Sequence, residues 1–330
     1  MKTRSLTGVK PTGNIHLGNY IGAIKPALKM AESHEAFYFI ANAHGLTKVH
    51  EGKEMRHLTE GVAAAWLALG VDPEKSVLYR QSDIPEVFEL SWILASFASK
   101  GLMNRAHAYK AIVDENKQLG KETDDGVNMG LFTYPILMAA DILLFKPDIV
   151  PVGKDQIQHI EIARDIAEVI NRNYGETFLL PNVHIDELAV LPGLDGRKMS
   201  KSYNNTIPLF TERNNLKKLV NTIKTNSLLP NAPKDPDEST VFLLYKEFAS
   251  RAEIEAMRRF YIDGISWGEA KHELFTVIDR FLEEPRERYK EINANPDKLE
   301  KILQEGAEKA RAFSVPFLHE IKQKIGLSIN

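Results

Sequence analysis

Residues 6–19 read LTGVKPTGNIHLGN, a short apolar strand that runs into a glycine-containing loop and then opens a helix. The glycines let the backbone approach a ligand, and the first turn of a helix presents unpaired N–H groups and a positive dipole end. The stretch therefore predicts a phosphate site, to which His16 and Asn19 would add side-chain donors. Many α/β folds contain such a loop, and His16 alone could equally be a helix cap or a surface residue.

The same change from strand to helix recurs through the first half of the chain. Short apolar runs bounded by polar residues predict parallel strands over 6–9, 37–41, 76–81 and 147–152. Helices are predicted between and after them, over 18–31, over 54–69, from about Pro85 with Ser82 and Asp83 as caps, and over 155–171. This alternation implies an α/β fold, a Rossmann-like doubly wound parallel sheet.

Beyond about residue 207 the strand signal fades. Helices are predicted over 213–224, 240–249, 251–262, 267–283 and 296–325. We therefore expect a sheet domain over 1–206 and a helical domain over 207–304, with the last helix, about 305–330, able to pack back on the sheet domain. The polar run 114–125 is interpreted as a mobile surface loop, with a lid beside the active site as the alternative.

Composition narrows the class of protein. The 330 residues are 43% hydrophobic and 26% charged with a net charge of −3, values that argue against a disordered chain or a dedicated nucleic-acid coat protein. The absence of cysteine excludes disulfides, thiolate zinc sites and cysteine nucleophiles. No apolar segment follows the charged N-terminus, and the most hydrophobic stretch, 130–145, is too short to span a bilayer. We expect a cytoplasmic protein with no membrane contact.

A second motif suited to phosphate lies at 198–202, KMSKS, after Asp195-Gly196-Arg197. Two lysines three residues apart could both reach a polyphosphate, although lysine–serine loops are also common on surfaces. His16-Leu17-Gly18-Asn19 and KMSKS stand in this order, about 180 residues apart. Together they resemble the HIGH and KMSKS signatures of class I aminoacyl-tRNA synthetases.

Asp141 lies in the otherwise apolar run 133–144, TYPILMAADILL. A buried carboxylate costs free energy unless it is paired. In one interpretation it accepts hydrogen bonds from a neighbouring helix N-terminus. In the other it accepts the N–H of an indole ring, which is a donor only. The residues alone leave both interpretations open.

The run 133–144 resembles the tryptophan-binding segment of tryptophanyl-tRNA synthetases, and 150–159, VPVGKDQIQH, resembles the motif that follows it in that family. The resemblance covers roughly residues 4–206 well and the helical half loosely. It implies an enzyme that activates tryptophan with ATP and transfers it to tRNA(Trp), working as a homodimer. It also implies Mg²⁺ with ATP, no structural metal, and a helical domain that contacts the anticodon.

The resemblance also assigns residues. Catalytic roles are expected for His16, Asn19, Lys198 and Lys201. Contacts with ATP are expected from Lys10, Pro11, Thr12, Gly18, Asn19, Lys110, Gly153, Lys154, Asp155, Ala189, Lys198, Met199, Ser200, Lys201 and Ser202. Contacts with tryptophan are expected from Leu6, His44, Tyr134, Met138, Asp141, Val150, Val152 and Gln156. At least one of the apolar wall residues could equally be ordinary core.

Two positions depart from better-known members of the family, which often carry glutamine at Lys10 and aspartate at Asn42. Lys10 could place a positive charge near the substrate carboxylate or the α-phosphate. Three other functions fit parts of the sequence: a tyrosyl-tRNA synthetase, a small-molecule nucleotidyltransferase, and a catalytically silent relative that binds tRNA or senses tryptophan. The Ala139-Ala140-Asp141 segment and the intact His16, Lys198 and Lys201 argue against them.

Overall fold

The computed structural model describes residues 3–151, 153, 156–184 and 191–328. Within these residues one parallel sheet contains five strands, β1 (Arg4–Val9), β2 (Glu35–Ile40), β3 (Val77–Arg80), β4 (Ile149–Pro151) and β5 (Asn182–His184). Their order across the sheet is β3-β2-β1-β4-β5, and all neighbouring pairs are parallel. The predicted doubly wound sheet is therefore confirmed, and the short strand β5 was missing from the prediction.

Helices cover both faces of this sheet. Those of the first part of the chain are α1 (Leu17–Asn19), a π-helical turn (Tyr20–Ile24), α2 (Lys25–Met30), α3 (Asn42–Gly45), α4 (Gly52–Ala68), α5 (Pro85–Ala95), α6 (Lys100–Met103), α7 (His107–Gln118), α8 (Met129–Phe132), α9 (Tyr134–Leu144) and α10 (Ile157–Tyr174). On one face Tyr38 stacks on Trp66 of α4 with ring centroids 4.6 Å apart. On the other face Phe37 and Tyr79 pack against Phe145. Because both faces are buried, residues 36–40 of β2 are apolar without alternation.

The rest of the described chain is helical. It contains α11 (Arg213–Asn221), α12 (Thr240–Tyr245), α13 (Arg251–Asp263), α14 (Trp267–Asn293) and α15 (Pro296–Lys324). Residues 299 and 303 of α15 join the core shared with α14, whereas Phe317, Leu318 and Ile321 join the core beneath the sheet. Gly306 lies so close to the Leu78 carbonyl that an added Cβ would be 1.8 Å from its oxygen. Helix α15 therefore packs directly on β3.

Three local predictions were wrong. Ser82 and Asp83 do not cap α5; they lie in a 3₁₀ turn (Gln81–Asp83), and the residue before the helix, Ile84, makes no side-chain cap. Helix α14 runs ten residues past the predicted end at 283 and through Pro285, because Arg286 donates to the Thr211 carbonyl at 3.0 Å and anchors the later turns.

The third error concerns the first part of the polar run 114–125, which is exposed as predicted apart from Asn116 but is not a loop throughout. Its first five residues belong to α7, and buried Asn116 donates to the carbonyls of Thr123 and Asp125 at 3.2 and 2.8 Å. The side chain of one asparagine thus ties the turn that follows back onto the helix. In the part of the chain that the structure describes, no helix is long and apolar enough to cross a membrane.

Candidate functional site

The predicted phosphate loop begins at the carboxyl end of β1, the central strand. Strand order runs outward from β1 in both directions, so the crevice at its carboxyl end is where open α/β sheets bind ligands. Strands β2 and β3 end at the same edge, so the segments that follow them begin there. Side chains from these three connections and from α9 meet there and form the site.

Asp141 lies at the buried end of this site and is 2% exposed. Its carboxylate accepts two hydrogen bonds from the Gln81 amide nitrogen, at 2.8 and 2.9 Å, and contacts His44 Nε2 at 2.8 Å. Burial raises the pKa of Asp141, and the bonds from His44 and Gln81 oppose that rise. The aspartate is therefore paired with side chains of two other connections and not with a helix N-terminus.

Gln81 was missed by the sequence analysis. It is fully buried, and while its nitrogen donates to Asp141 its oxygen accepts the backbone N–H groups of Ala43 and His44 at 3.1 and 3.4 Å. One amide thus fixes both the carboxylate and the backbone of α3. Its position directly after β3, at the carboxyl edge of the sheet, was the available signal.

His44 is the second residue that holds Asp141. Its ring lies 4.2 Å from the ring of Tyr134, and Nδ1 is buried without a hydrogen-bond partner among the described residues. The Tyr134 ring lies in turn 5.6 Å from the ring of His159, which contacts Gln156 Oε1 through Nδ1 at 2.9 Å. Four predicted tryptophan contacts, His44, Tyr134, Asp141 and Gln156, are therefore linked in one network.

Of the apolar residues predicted to line the pocket, some are fully buried and one is partly exposed. Leu6 and Val150 are buried in the core beneath the sheet, and Met138 packs against it while partly exposed. Gly153 accepts the backbone N–H of Gln156 at 2.9 Å. Val152, Lys154, Asp155 and Ala189 lie outside the described residues.

The phosphate end of the site is built on His16. Its Nδ1 accepts the Asn19 backbone N–H at 3.3 Å, and its own backbone N–H donates to Asn19 Oδ1 at 3.1 Å, a reciprocal cap on α1. Because Nδ1 is an acceptor, the ring proton of the neutral imidazole is on Nε2. Burial, followed by repulsion from Lys201, lowers the pKa of His16 to about 4. At neutral pH the ring is an uncharged donor.

The KMSKS segment lies directly against this loop. The Gly18 N–H donates to Met199 Sδ at 3.3 Å, and Lys201 Nζ donates to the Thr12 carbonyl at 2.8 Å. A Cβ at Gly18 would lie 2.9 Å from the His16 ring and 3.4 Å from Met199, so only glycine permits this approach. The two motifs, about 180 residues apart in the chain, are adjacent in space.

Asn205 organises the KMSKS segment and was also missed. It is 2% exposed, its oxygen accepts the Ser200 N–H at 2.8 Å, and its nitrogen donates to Asp195 at 2.7 Å and to the Lys198 carbonyl at 3.1 Å. The bond from Asn205, followed by those from Arg197, lowers the pKa of Asp195 to about 2. The only signal of this role in the sequence was an asparagine three residues past the motif.

The remaining predicted ATP contacts are more dispersed. Ser200 and Ser202 share a hydrogen bond at 2.8 Å, and Lys198 is exposed beside them. Lys110 is exposed on α7 and makes no ion pair with a described residue. No group of three or more His, Asp or Glu side chains that could hold a metal occurs in residues 3–151, 153, 156–184 and 191–328. The donors near the two motifs are mainly cations and N–H groups, which suit phosphate.

Comparison with known proteins gives consistent matches. The profile of the class I tRNA synthetases for tryptophan and tyrosine matches residues 1–283. A tryptophan–tRNA ligase of Neisseria meningitidis is 53% identical over 99% of this chain and 98% of its own length. One from Pseudomonas aeruginosa is 51% identical over 99% of this chain and 74% of its own. The crystal structure of tryptophanyl-tRNA synthetase from Campylobacter jejuni, complexed with ADP and tryptophan, is 44% identical, with a TM-score of 0.89 over 98% of this chain and 100% of that one.

Proposed function

The chain belongs to the family of class I tRNA synthetases for tryptophan and tyrosine, and from that premise we propose how its residues divide the work. Its function is the ATP-dependent ligation of tryptophan to tRNA. The resemblance inferred from the two motifs is therefore confirmed. One observation supports the assignment of residues. Asp141 is buried and held by hydrogen bonds at one end of the crevice, and His16 contacts the KMSKS segment at the other end.

Asp141 is proposed to select tryptophan. Gln81 and His44 fix its carboxylate, which still has lone pairs for the indole N–H, a donor that phenylalanine lacks. A site that leaves a buried polar group unpaired with the wrong side chain discriminates by roughly 10⁴-fold. Tyr134, Met138 and Val150 would enclose the ring, and Gln156 and His44 would lie near the amino acid.

His16, Asn19, Lys198 and Lys201 are proposed to position ATP. An oxygen of the tryptophan carboxylate attacks the α-phosphorus, a new C–O–P linkage forms, and the bond to pyrophosphate breaks. No proton has to be removed from the nucleophile, so positioning and charge stabilisation provide the catalysis. The neutral Nε2–H of His16 and the ammonium of Lys201 are supported for this role by their adjacency to the N-terminus of α1.

Mg²⁺ is proposed to arrive with ATP. The described residues around the two motifs offer donors and cations and no carboxylate cluster, so the ion would be held by phosphate oxygens and water.

In the second step the adenylate passes its acyl group to the ribose at the 3′ end of tRNA(Trp). We propose that residues 207–304 contact the anticodon, with cations such as Lys217, Lys218 and Arg259 available on their surface. Since tRNA is charged in the cytoplasm, we propose that compartment.

A homodimer is proposed from an exposed apolar surface. Leu46, Phe88, Trp92 and Met129 are 57, 40, 76 and 69% exposed. Leu46 and Phe88 line a cleft of about 600 Å³ that also includes His44. Large exposed apolar side chains beside such a cleft suit a contact with a second copy of the chain. Light scattering would give a mass near twice that of the chain, and Trp92→Glu would lower it.

The direct test is amino-acid-dependent ATP–pyrophosphate exchange, run with purified protein and Mg²⁺ across the standard amino acids. We expect exchange with tryptophan alone. Exchange with tyrosine would move the assignment to the sister enzyme of the family. No exchange with any amino acid would indicate a binding protein that kept the fold.

A further inference from the structure

Lys10 is the first residue after β1, at the junction between the two ends of the crevice. Its Nζ donates to Thr47 Oγ1 at 2.8 Å and lies 5.3 Å from the centroid of the Tyr134 ring. The Thr47 hydroxyl donates onward to the His44 carbonyl at 2.9 Å. The ammonium is thus attached to the segment that carries His44, and it pairs with no carboxylate of the described residues.

The surroundings of Lys10 are unfavourable for a positive charge. The titratable groups near it are Lys48 beyond α3, Tyr134 on α9 and, behind that ring, the pair His44 and Asp141. Burial, followed by repulsion from Lys48, lowers the pKa of Lys10 to about 8. An ammonium that is half-buried without a counter-ion provides a strong site for an anion, since charge-assisted hydrogen bonds are the stronger ones.

Two anions meet in the crevice, the carboxylate of the amino acid and the phosphates of ATP. The neighbours of Lys10 lie on the amino-acid side, because the Tyr134 ring that it faces contacts the His44 ring, which in turn bonds Asp141. Lys201 binds farther along the same loop, at the Thr12 carbonyl, and its charge acts on His16 at the phosphate end. The two cations therefore serve different ends of the site.

We infer that Lys10 binds the α-carboxylate of tryptophan and holds the oxygen that attacks ATP, an inference that rests on the proposed function. Two hydrogens of its ammonium remain for the carboxylate after the bond to Thr47 is made. A glutamine at this position would offer only a neutral N–H. The lysine therefore makes the site selective for the free amino acid over amine or alcohol analogues that lack the carboxylate.

Equilibrium binding in the absence of ATP tests this assignment directly. Tryptophan and tryptamine are titrated into the wild type, Lys10→Gln and Lys10→Met. Tryptophan binding should weaken by about 10- to 100-fold in both variants, while tryptamine binding changes by less than about twofold and the KM for ATP is retained. A raised KM for ATP with an unchanged ratio of tryptophan to tryptamine binding would overturn the inference and assign Lys10 to the phosphates.

The pH dependence provides a second readout that does not need a Lys10 variant to fold. In the wild type, tryptophan binding should weaken as pH rises through about 8, whereas tryptamine, which has an amine but no carboxylate, should show no such change. Lys48→Gln removes a nearby exposed lysine. The variant should leave tryptophan affinity at pH 7 within about twofold. It should move the transition to higher pH, because the repulsion from Lys48 that lowers the pKa of Lys10 is gone.

The two hypotheses fail differently. A wild type without tryptophan-dependent exchange contradicts the proposed function itself. An active wild type whose tryptophan affinity shows no transition near pH 8, or keeps it in Lys10→Gln, contradicts only the role of Lys10.

Discussion

The two ends of the crevice are built in opposite ways. Around Asp141, the buried residues Gln81 and His44, which are 0 and 3% exposed, hold the carboxylate by direct hydrogen bonds. Around His16, the contact joins two loops through one N–H to a sulfur and one ammonium to a carbonyl. We therefore propose that selection of the amino acid depends on the buried network, whereas catalysis depends on a contact that a few weak bonds hold and that closure over pyrophosphate can rearrange.

The largest effect on activity is expected at the end of the crevice around Asp141. Asp141→Ala removes the acceptor for the indole N–H and leaves the Gln81 amide and His44 without their partner. We expect kcat/KM for tryptophan in pyrophosphate exchange to fall by about 10³-fold or more. Asp141→Asn, which keeps the volume, should lose less. Wild-type exchange by Asp141→Ala, with a thermal melt that shows a folded protein, would mean that selection occurs elsewhere.

The next largest effect is expected at the phosphate end of the crevice, around His16 and the KMSKS segment. Lys201→Ala should lower kcat for adenylate formation by about 10²-fold with the KM for tryptophan nearly unchanged, because the ammonium acts on charge that develops on pyrophosphate. Lys201→Arg is the matched control that retains the charge. Equal losses in both variants would point to geometry, and no loss in Lys201→Ala would remove the loop from the mechanism.

A smaller effect is expected from the scaffold of the loop. Asn205→Ala leaves the Ser200 N–H and the Lys198 carbonyl without a partner, so the lysines should be held less firmly. We expect kcat to fall by about tenfold and the KM for ATP to rise, with tryptophan binding unchanged. Single-turnover kinetics separate these terms. A loss confined to tryptophan binding would contradict the separation of the two ends.

The same contrast explains what the sequence could predict. The alternation of strands and helices, the phosphate loop and the two signature motifs follow from hydrophobic patterns and from residues contiguous in the chain. The partners of those residues do not, because Gln81 lies 60 positions from Asp141 and the two meet only where the turn after β3 packs against α9. The end of α14 was missed because the contacts of its later turns are distant in the sequence, such as the bond from Arg286 to Thr211.

Protonation of His16 should have the smallest effect on activity at neutral pH. Its effect should appear in the pH dependence of stability. The folded protein has a His16 pKa of about 4, below the value of about 6.5 for an exposed histidine. As pH falls from about 6.5 to 4, the unfolded chain binds a proton that the folded chain does not, so stability is lost over that window, by about 3 kcal/mol in all. His16→Gln should flatten this part of the dependence of unfolding free energy on pH. Urea titrations at pH 7, 5.5 and 4.5 would measure it. Parallel curves for the two proteins would contradict the buried neutral imidazole and, with it, the proposed Nε2–H donor to phosphate.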